Sequence, residues 1–239
     1  MNNQIIDNLY EFWKHIGKLN NRLIETEEYS AVSMDSSDWP NRIFDLRQDY
    51  GVIEEIKTLS KENELPEIIT ITKPNGLNSD SDFEFVFGQK NMAFDLDLFS
   101  KKSSPDPKIK RVKTEKESIE FANTASESFG YLVDQNVIFE IVKNSKTVRL
   151  FTYQEDIECL GCGIVFFDSN NNAGLHMIGT LPKGRGKGIG KSMTEKLLLE
   201  ANESNAEICV LHASLMGETI YAKLGFKPYG EIETYRILK

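Results

Sequence analysis

Residues 181–193, LPKGRGKGIGKSM, alternate glycines at 184, 186, 188 and 190 with Lys183, Arg185, Lys187 and Lys191. Glycine lets backbone N–H groups turn inward and approach a bulky diphosphate closely. A helix beginning just after such a loop adds its unpaired N–H groups and its positive dipole end. Ile189, Met193 and Leu197 follow at four-residue spacing and would anchor that helix on a sheet. The chemistry implied is phosphate binding, beside the plainer reading of a basic glycine turn without a ligand. Two familiar phosphate loops fail. A P-loop ending at Gly190, Lys191 and Ser192 would need its first glycine where Arg185 stands, and a dinucleotide fingerprint begun at Gly184 or Gly186 ends on Ile189 or Lys191. The pattern that fits is R-x-x-G-x-G, formed by Arg185, Gly188 and Gly190 between an expected strand and helix.

A second block, SLMGETIYAKLGF at residues 214–226, places a tyrosine before a Lys-Leu-Gly-Phe run. Its distance from the glycine loop suits helix, strand and helix. With both motifs in view, residues 108–239 resemble the GNAT superfamily of N-acetyltransferases. The resemblance implies acetyl-coenzyme A as acyl donor, no metal, and direct transfer of an acetyl group to a primary amine of a small molecule or peptide. It assigns Arg185, Gly186, Lys187, Gly188, Ile189, Gly190 and Lys191 to the coenzyme A pyrophosphate. It assigns the backbone of Ile178, Gly179 and Thr180 to the pantetheine arm, bonded as an added strand would be.

Tyr221 matches the family's general acid. A phenol of reference pKa about 10 is protonated at neutral pH and can reprotonate a departing thiolate of about 8.5. His176, in GLHMIGT, is the base the resemblance suggests, being able to change charge near neutrality. Glu158 and Glu207 are weaker candidates; His15 and His212 have no supporting context for chemistry, although His212 ends a strand near the cofactor and could face the site. Two positions depart from the family pattern. Ser214 stands where many members carry asparagine, and Gly184 replaces a larger residue, which bears on cofactor affinity. Aromatic residues at Phe129, Tyr131, Tyr229 and Tyr235 fall where an acceptor cleft would lie, or in the core. A noncatalytic acyl-coenzyme A sensor on the same fold is the alternative reading.

The elements around these motifs alternate late in the chain. Strands are expected at TVRLFTY, CGIVFFD and GLHMIGT, a helix from the glycine loop to about residue 201, then strand AEICVLHA, helix LMGETIYAKL and strand EIETYRIL. Helices KESIEFANTASESF and QNVIFEIVKN precede them. The expected fold is α/β, a GNAT-like mixed central β-sheet flanked by helices in three layers. The first half opens with an amphipathic helix over about residues 3–19, from Ile5, Leu9, Phe12, Ile16 and Leu19. Strands, a helix ending before Pro66, and two strands broken near Gly88 in FEFVFGQKNMAFDLDLF follow. SKKSSPDPKIKR, residues 100–111, reads as a linker. The chain is therefore divided into a smaller accessory α/β domain over 1–105 and a catalytic domain over 106–239. The accessory domain is either a degenerate GNAT-like half or an unrelated module.

Composition limits partners. The 28 basic and 37 acidic residues of the 239 give a net charge of −9, against general nucleic-acid binding. No apolar run approaches the roughly 20 residues of a membrane helix, and the N-terminus lacks a signal-peptide pattern, so a cytoplasmic protein is expected. Three cysteines imply no disulfide framework. Cys159 and Cys162 lack the second ligand pair of a zinc site and read as small strand residues. Oligomeric state is left open.

Overall fold

In the computed structural model, which describes residues 1–99 and 106–239, the three-four apolar spacing near the N-terminus becomes the buried stripe of helix α1 (Asn2–Leu19), carrying Ile5, Leu9, Phe12 and Ile16. Short strands β1 (Leu23–Glu25), β2 (Ser30–Val32) and β3 (Arg42–Phe44) follow, then helix α2 (Tyr50–Lys61), strand β4 (Ile68–Ile71) and the long strand β5 (Phe83–Asp95). Next come β6 (Ile109–Arg111), helices α3 (Glu115–Phe129) and α4 (Gln135–Asn144), and strands β7 (Val148–Glu155), β8 (Glu158–Phe167) and β9 (Ala173–Thr180). Helix α5 (Ile189–Glu203), strand β10 (Ile208–Ala213), helix α6 (Leu215–Leu224) and strand β11 (Lys227–Ile237) close the chain. Local signals set several ends. A capping box of Thr114 and Glu117 starts α3, and Gly130, at φ 77°, stops it.

All eleven strands belong to one sheet, in the order β1-β2-β3-β4-β11-β5-β10-β9-β8-β7-β6. The closing strand β11 lies between β4 and β5, and β5 pairs on its other edge with β10. The stretches before and after the expected linker thus interlock strand by strand. Residues 100–105 of that linker lie outside the described residues, and its end, Ile109–Arg111, forms the short strand expected within IKRVKT, paired with β7. The break expected at Gly88 is absent. Gly88 pairs with Glu233 inside a continuous β5, because β11 supplies a ladder along the whole segment.

Helices cover both faces. One face packs α1, α3 and α4 over Ile164, Phe166, Leu150 and Ile232, while the other packs α5 over Val165, Leu175 and Leu211 and α2 over Ile43, Ile69 and Tyr235. Adjacent residues of α1 reach far-apart strands. Phe12 meets Phe166 of β8 at 5.3 Å between ring centroids, and Trp13 meets Phe44 of β3 at 5.1 Å. Those strands are six steps apart in the order, roughly 29 Å on a flat sheet at about 4.8 Å per step. The sheet therefore curls around α1. Among the described residues, no helix is long and apolar enough to cross a membrane.

Candidate active site

Strands β9 and β10 run parallel and pair only at Ala173–Cys209, Gly174–Val210 and Leu175–Leu211. Beyond Leu175 they part. β9 stays with β8, through Gly179–Cys162 and Thr180–Gly161, while β10 stays with β5 as far as Ala213–Lys90. An irregularity in the β8–β9 ladder coincides with Met177, whose φ of 51° is left-handed. Such a bulge bends its strand. The edge of Ile178, Gly179 and Thr180 that faces β10 is consequently left without a strand partner, at the mouth of a wedge.

The glycine loop leaves the end of β9. Leu181 donates to Leu160 O at 2.9 Å, and a single 3-10 turn, Pro182–Gly184, follows. Gly188 is the N-cap of α5, without a side-chain cap, and both it and Gly186 sit near φ 80°. The first bond from α5 back to its cap is Ser192 N–H to Gly188 O, at 3.0 Å. The amides of Ile189, Gly190 and Lys191 thus stand at an open helix end, as an anion requires. Gly184 is buried. A Cβ there would lie 3.0 Å from Ile189 Cδ1 and 3.1 Å from Thr180 Cγ2, so the small residue lets the loop close on the helix instead of loosening it. Lys183 pairs with Glu158 and Lys187 with Glu155, each at 2.8 Å; Lys108 and Lys187 together hold the Glu155 carboxyl down to about 2. Arg185 is exposed.

Helix α6 flanks this loop, with Ile220 Cδ1 3.9 Å from where a Gly190 Cβ would stand. Ser214 is its N-cap, and the hydroxyl accepts from Gly217 N–H at 3.3 Å. Tyr221 is half-buried, its ring edge-on to Phe226 at 5.9 Å, and burial raises the phenol to about 12. Side chains on a helix lean toward its N-terminus. Gly217 makes room for that lean, since a Cβ there would be 2.8 Å from Tyr221 Cε2.

The face toward α1 is polar beside the wedge. His176 is buried, with its ring stacked on Phe12 at 4.1 Å and Nε2 3.3 Å from Asn8 Oδ1. Asn8 in turn donates to Asp168 Oδ2 at 3.0 Å. The Asn8–His176 contact occupies the space a Cβ at Gly174 would need. His212 stands opposite Asn91 of β5. Both its ring nitrogens and Asn91 Oδ1 are enclosed without a protein hydrogen-bond partner, although His212 as a whole keeps some surface. Asn91 Nδ2 donates to Asn2 Oδ1 at 2.9 Å, and Gln89 Nε2 to His212 O at 3.1 Å.

Burial drives His176 well below its ordinary value, with His212 adding to the effect, and lowers His212 from near 6.5 to about 3. An unfolded histidine binds its proton near pH 6.5, so these two are fully stabilising only above that pH. Stability falls as pH drops from about 6.5 towards 3, by about 1.4 kcal/mol per pH unit for each histidine kept neutral. In a melting series from pH 7.5 to 5, the slope should be smaller for His212→Asn than for the wild type. Equal slopes would show that His212 titrates normally.

The remaining expected residues scatter. Phe129 and Tyr131 stack at 5.7 Å, and Tyr131 OH lies 3.6 Å from Met177 Sδ, beside the bulge. Tyr235 is core on the opposite face, bonded to Asn78 and Glu233, while Tyr229 is exposed. His15 joins α1 to Ser145 after α4 at 2.8 Å. Glu207 sits just before β10, at the end away from the wedge, where its carbonyl accepts from Leu96 N–H. Cys159 and Cys162 lie on β8 with thiols pushed up by burial. Asn91 and Gln89 escape motif reading altogether. They reach the site only because β5 is inserted beside β10, and the only hint is the polar run Gln89-Lys90-Asn91 between apolar stretches of that strand.

A strand pair that splays over a glycine-rich, uncapped helix start is a distinctive arrangement, and it agrees with the family comparison. Residues 146–228 match the family model described as an acetyltransferase (GNAT) domain. That segment, roughly a third of the chain, is a GNAT-type acetyltransferase domain. The protein is an enzyme of the acyltransferase class by that family. Solved GNAT structures resemble nearly the whole chain. A GCN5-related N-acetyltransferase from Kribbella flavida superposes with a TM-score of 0.66 at 13% identity, covering 94% of this chain and 95% of that one. Another, from Sphaerobacter thermophilus, gives 0.62 at 11%, covering 87% and 76%. A tandem GNAT protein from the clavulanic acid biosynthesis pathway gives 0.55 at 12%, also covering 87% and 76%. At these identities the likeness establishes the GNAT fold. A search of curated proteins finds no match in sequence.

Proposed function

We propose that this GNAT protein transfers an acetyl group from acetyl-coenzyme A directly to a primary amine. The wedge between β9 and β10, opening onto the uncapped start of α5, carries the proposal. The free edge of Ile178, Gly179 and Thr180 offers backbone donors and acceptors to the amide-rich pantetheine arm. The amides of Ile189, Gly190 and Lys191, with Gly186, Gly188 and the cations Arg185 and Lys187, offer a diphosphate site. Ser214 serves that site indirectly, by capping α6 beside it.

The amine nitrogen attacks the thioester carbonyl carbon, the C–S bond breaks, and the thiolate leaves. Tyr221, kept protonated by burial, gives the thiolate its proton. The proton lost by the amine goes to the histidine pair beneath α1. His176 is held by Phe12 and Asn8, and His212 has no protein hydrogen-bond partner among the described residues; each neutral imidazole has one nitrogen that can take a proton. Burial makes both weak bases, so they take the proton from the acidic N–H of the acylated nitrogen and not from a free alkylammonium. Both imidazoles are neutral in the folded protein, the form that accepts a proton.

Thermal melting with acetyl-coenzyme A, followed by thiol release from a panel of amines, tests the assignment. A ligand specific to the folded state adds about 2.7 kcal/mol at a hundredfold excess over its Kd. A clear rise in Tm and thiol release with one amine class is expected. A rise with no thiol from any amine would favour a sensor, and no rise at saturation would remove the wedge as a cofactor site.

A further inference from the structure

We infer that Arg42 is the anion-binding group of the acceptor pocket, so that the amine acetylated here also carries a carboxylate or another oxyacid group. Arg42 opens β3 on the face turned toward α1, where Phe44 also points, while Ile43 between them enters the core around α2. Its guanidinium lies over the Trp13 ring at 4.6 Å, and one amino group reaches Thr70 Oγ1 at 3.5 Å, a long bond. Its Nε is enclosed with no partner.

Arg22, Arg47, Arg149 and Arg236 each have a carboxylate within 3.7 Å, whereas among the described residues Arg42 has none. The influences on its titration are burial, which lowers it, and the nearby Tyr131 phenol. A guanidinium has five donors and stays charged. Enclosing one without a counter-charge is costly unless something arrives to pair with it. Stacking on Trp13 offsets only part of that cost.

Placement ties this cation to the reaction site. Arg42 lies over Trp13, and the adjacent Phe12 stacks on His176 of β9, while Tyr131, packed on the same core, stands 3.6 Å by its hydroxyl from Met177 Sδ at the bulge where the wedge opens. Between Arg42 and His212 the same face carries Thr70, Thr234, Phe87, Ile232, Gln89 and Asn91, a mixed polar and apolar row without a charge. A cation at one end and neutral imidazoles near the wedge suit a compact acceptor that presents an anion to Arg42 and its amine to the thioester. A polycationic acceptor would be repelled. β3 and β4 precede the expected linker, so the N-terminal stretch would select the substrate of the GNAT domain.

The amine half of this inference rests on the acyl-transfer proposal; the anion half does not. The full-length wild type, Arg42→Gln and Arg42→Lys would be melted with amino acids, their methyl esters, phosphoethanolamine and ethanolamine, with and without acetyl-coenzyme A. Thiol release would be followed on the same pairs. At least one anionic amine should bind or turn over roughly 10- to 100-fold better than its neutral twin, the range of a charge-assisted pair. Arg42→Gln should erase that difference mainly through KM, and Arg42→Lys should keep part of it. The Tm of unliganded Arg42→Gln should match or exceed the wild type, because an unpaired buried charge is lost. The inference is overturned if neutral twins do as well, if Arg42→Gln weakens both members equally, or if it drops the unliganded Tm by several degrees, as a structural cation would. Anion-dependent stabilisation without any effect of acetyl-coenzyme A would sink the acyl-transfer proposal and leave this inference standing. Turnover of neutral amines alone would do the reverse.

Discussion

Tyr221→Phe is expected to lower kcat by about 10²- to 10⁴-fold, the usual contribution of a positioned proton donor, with little change in acetyl-coenzyme A affinity. The phenol is raised to about 12 by burial alone. It is therefore fully protonated at neutral pH, and passing its proton to a thiolate of about 8.5 is uphill unless the thiolate, formed in the same buried site, is raised by desolvation as well. The ring packs against Phe226 and over Gly217, contacts that phenylalanine keeps. The folded protein should thus be preserved, and the Tm of the variant should stay within a degree or two of wild type. Loss of kcat with unchanged cofactor-induced stabilisation would separate an interaction made in the transition state from one made in binding. An unchanged kcat would assign the proton to water and leave Tyr221 as packing.

Gly190→Ala is expected to weaken acetyl-coenzyme A binding by roughly 10- to 100-fold while leaving the unliganded protein as stable or slightly more so. The fold does not need glycine here. Gly190 lies in the first turn of α5 outside the left-handed region, and a Cβ would meet nothing nearer than 3.9 Å. Glycine in a helix costs roughly 0.5–1 kcal/mol relative to alanine, so the substitution should raise the Tm by roughly 2 °C. A methyl group in front of the open amides would hold a diphosphate away, at the expense of one or two charge-assisted hydrogen bonds worth about 1.5–3 kcal/mol each. Isothermal titration of both proteins with acetyl-coenzyme A gives the ratio directly. Equal affinities would place the phosphates elsewhere on the loop.

Much of the active half is local, and local features are legible in sequence. The glycine loop, the uncapped start of α5, the capping box of α3 and the Tyr221 helix are all properties of a few consecutive residues. Their backbone preferences act before any tertiary contact forms. Residues 178–180 can be assigned to the end of a strand for the same reason, since that strand feeds the loop.

What lies across the sheet was not legible. That β11 inserts between β4 and β5, and that β5 then lies beside β10, depends on pairings between residues more than a hundred positions apart, which no periodicity encodes. Gly88 shows the consequence: read alone it breaks a strand, but between ladders it does not. His176 is a titratable side chain on an expected strand, yet only the packing of α1 places Phe12 and Asn8 upon it. The same packing left His212 and Asn91 as the unpaired polar groups. Arg42 looked like one basic residue among 28. Its lack of a carboxylate partner among the described residues is a fact of three-dimensional neighbours. The sequence by itself determined the fold class and the glycine-rich basic loop, because these rest on local backbone geometry and charge. The tertiary structure alone decided which side chains face the acceptor, because a curled sheet brings together strands that the chain keeps far apart.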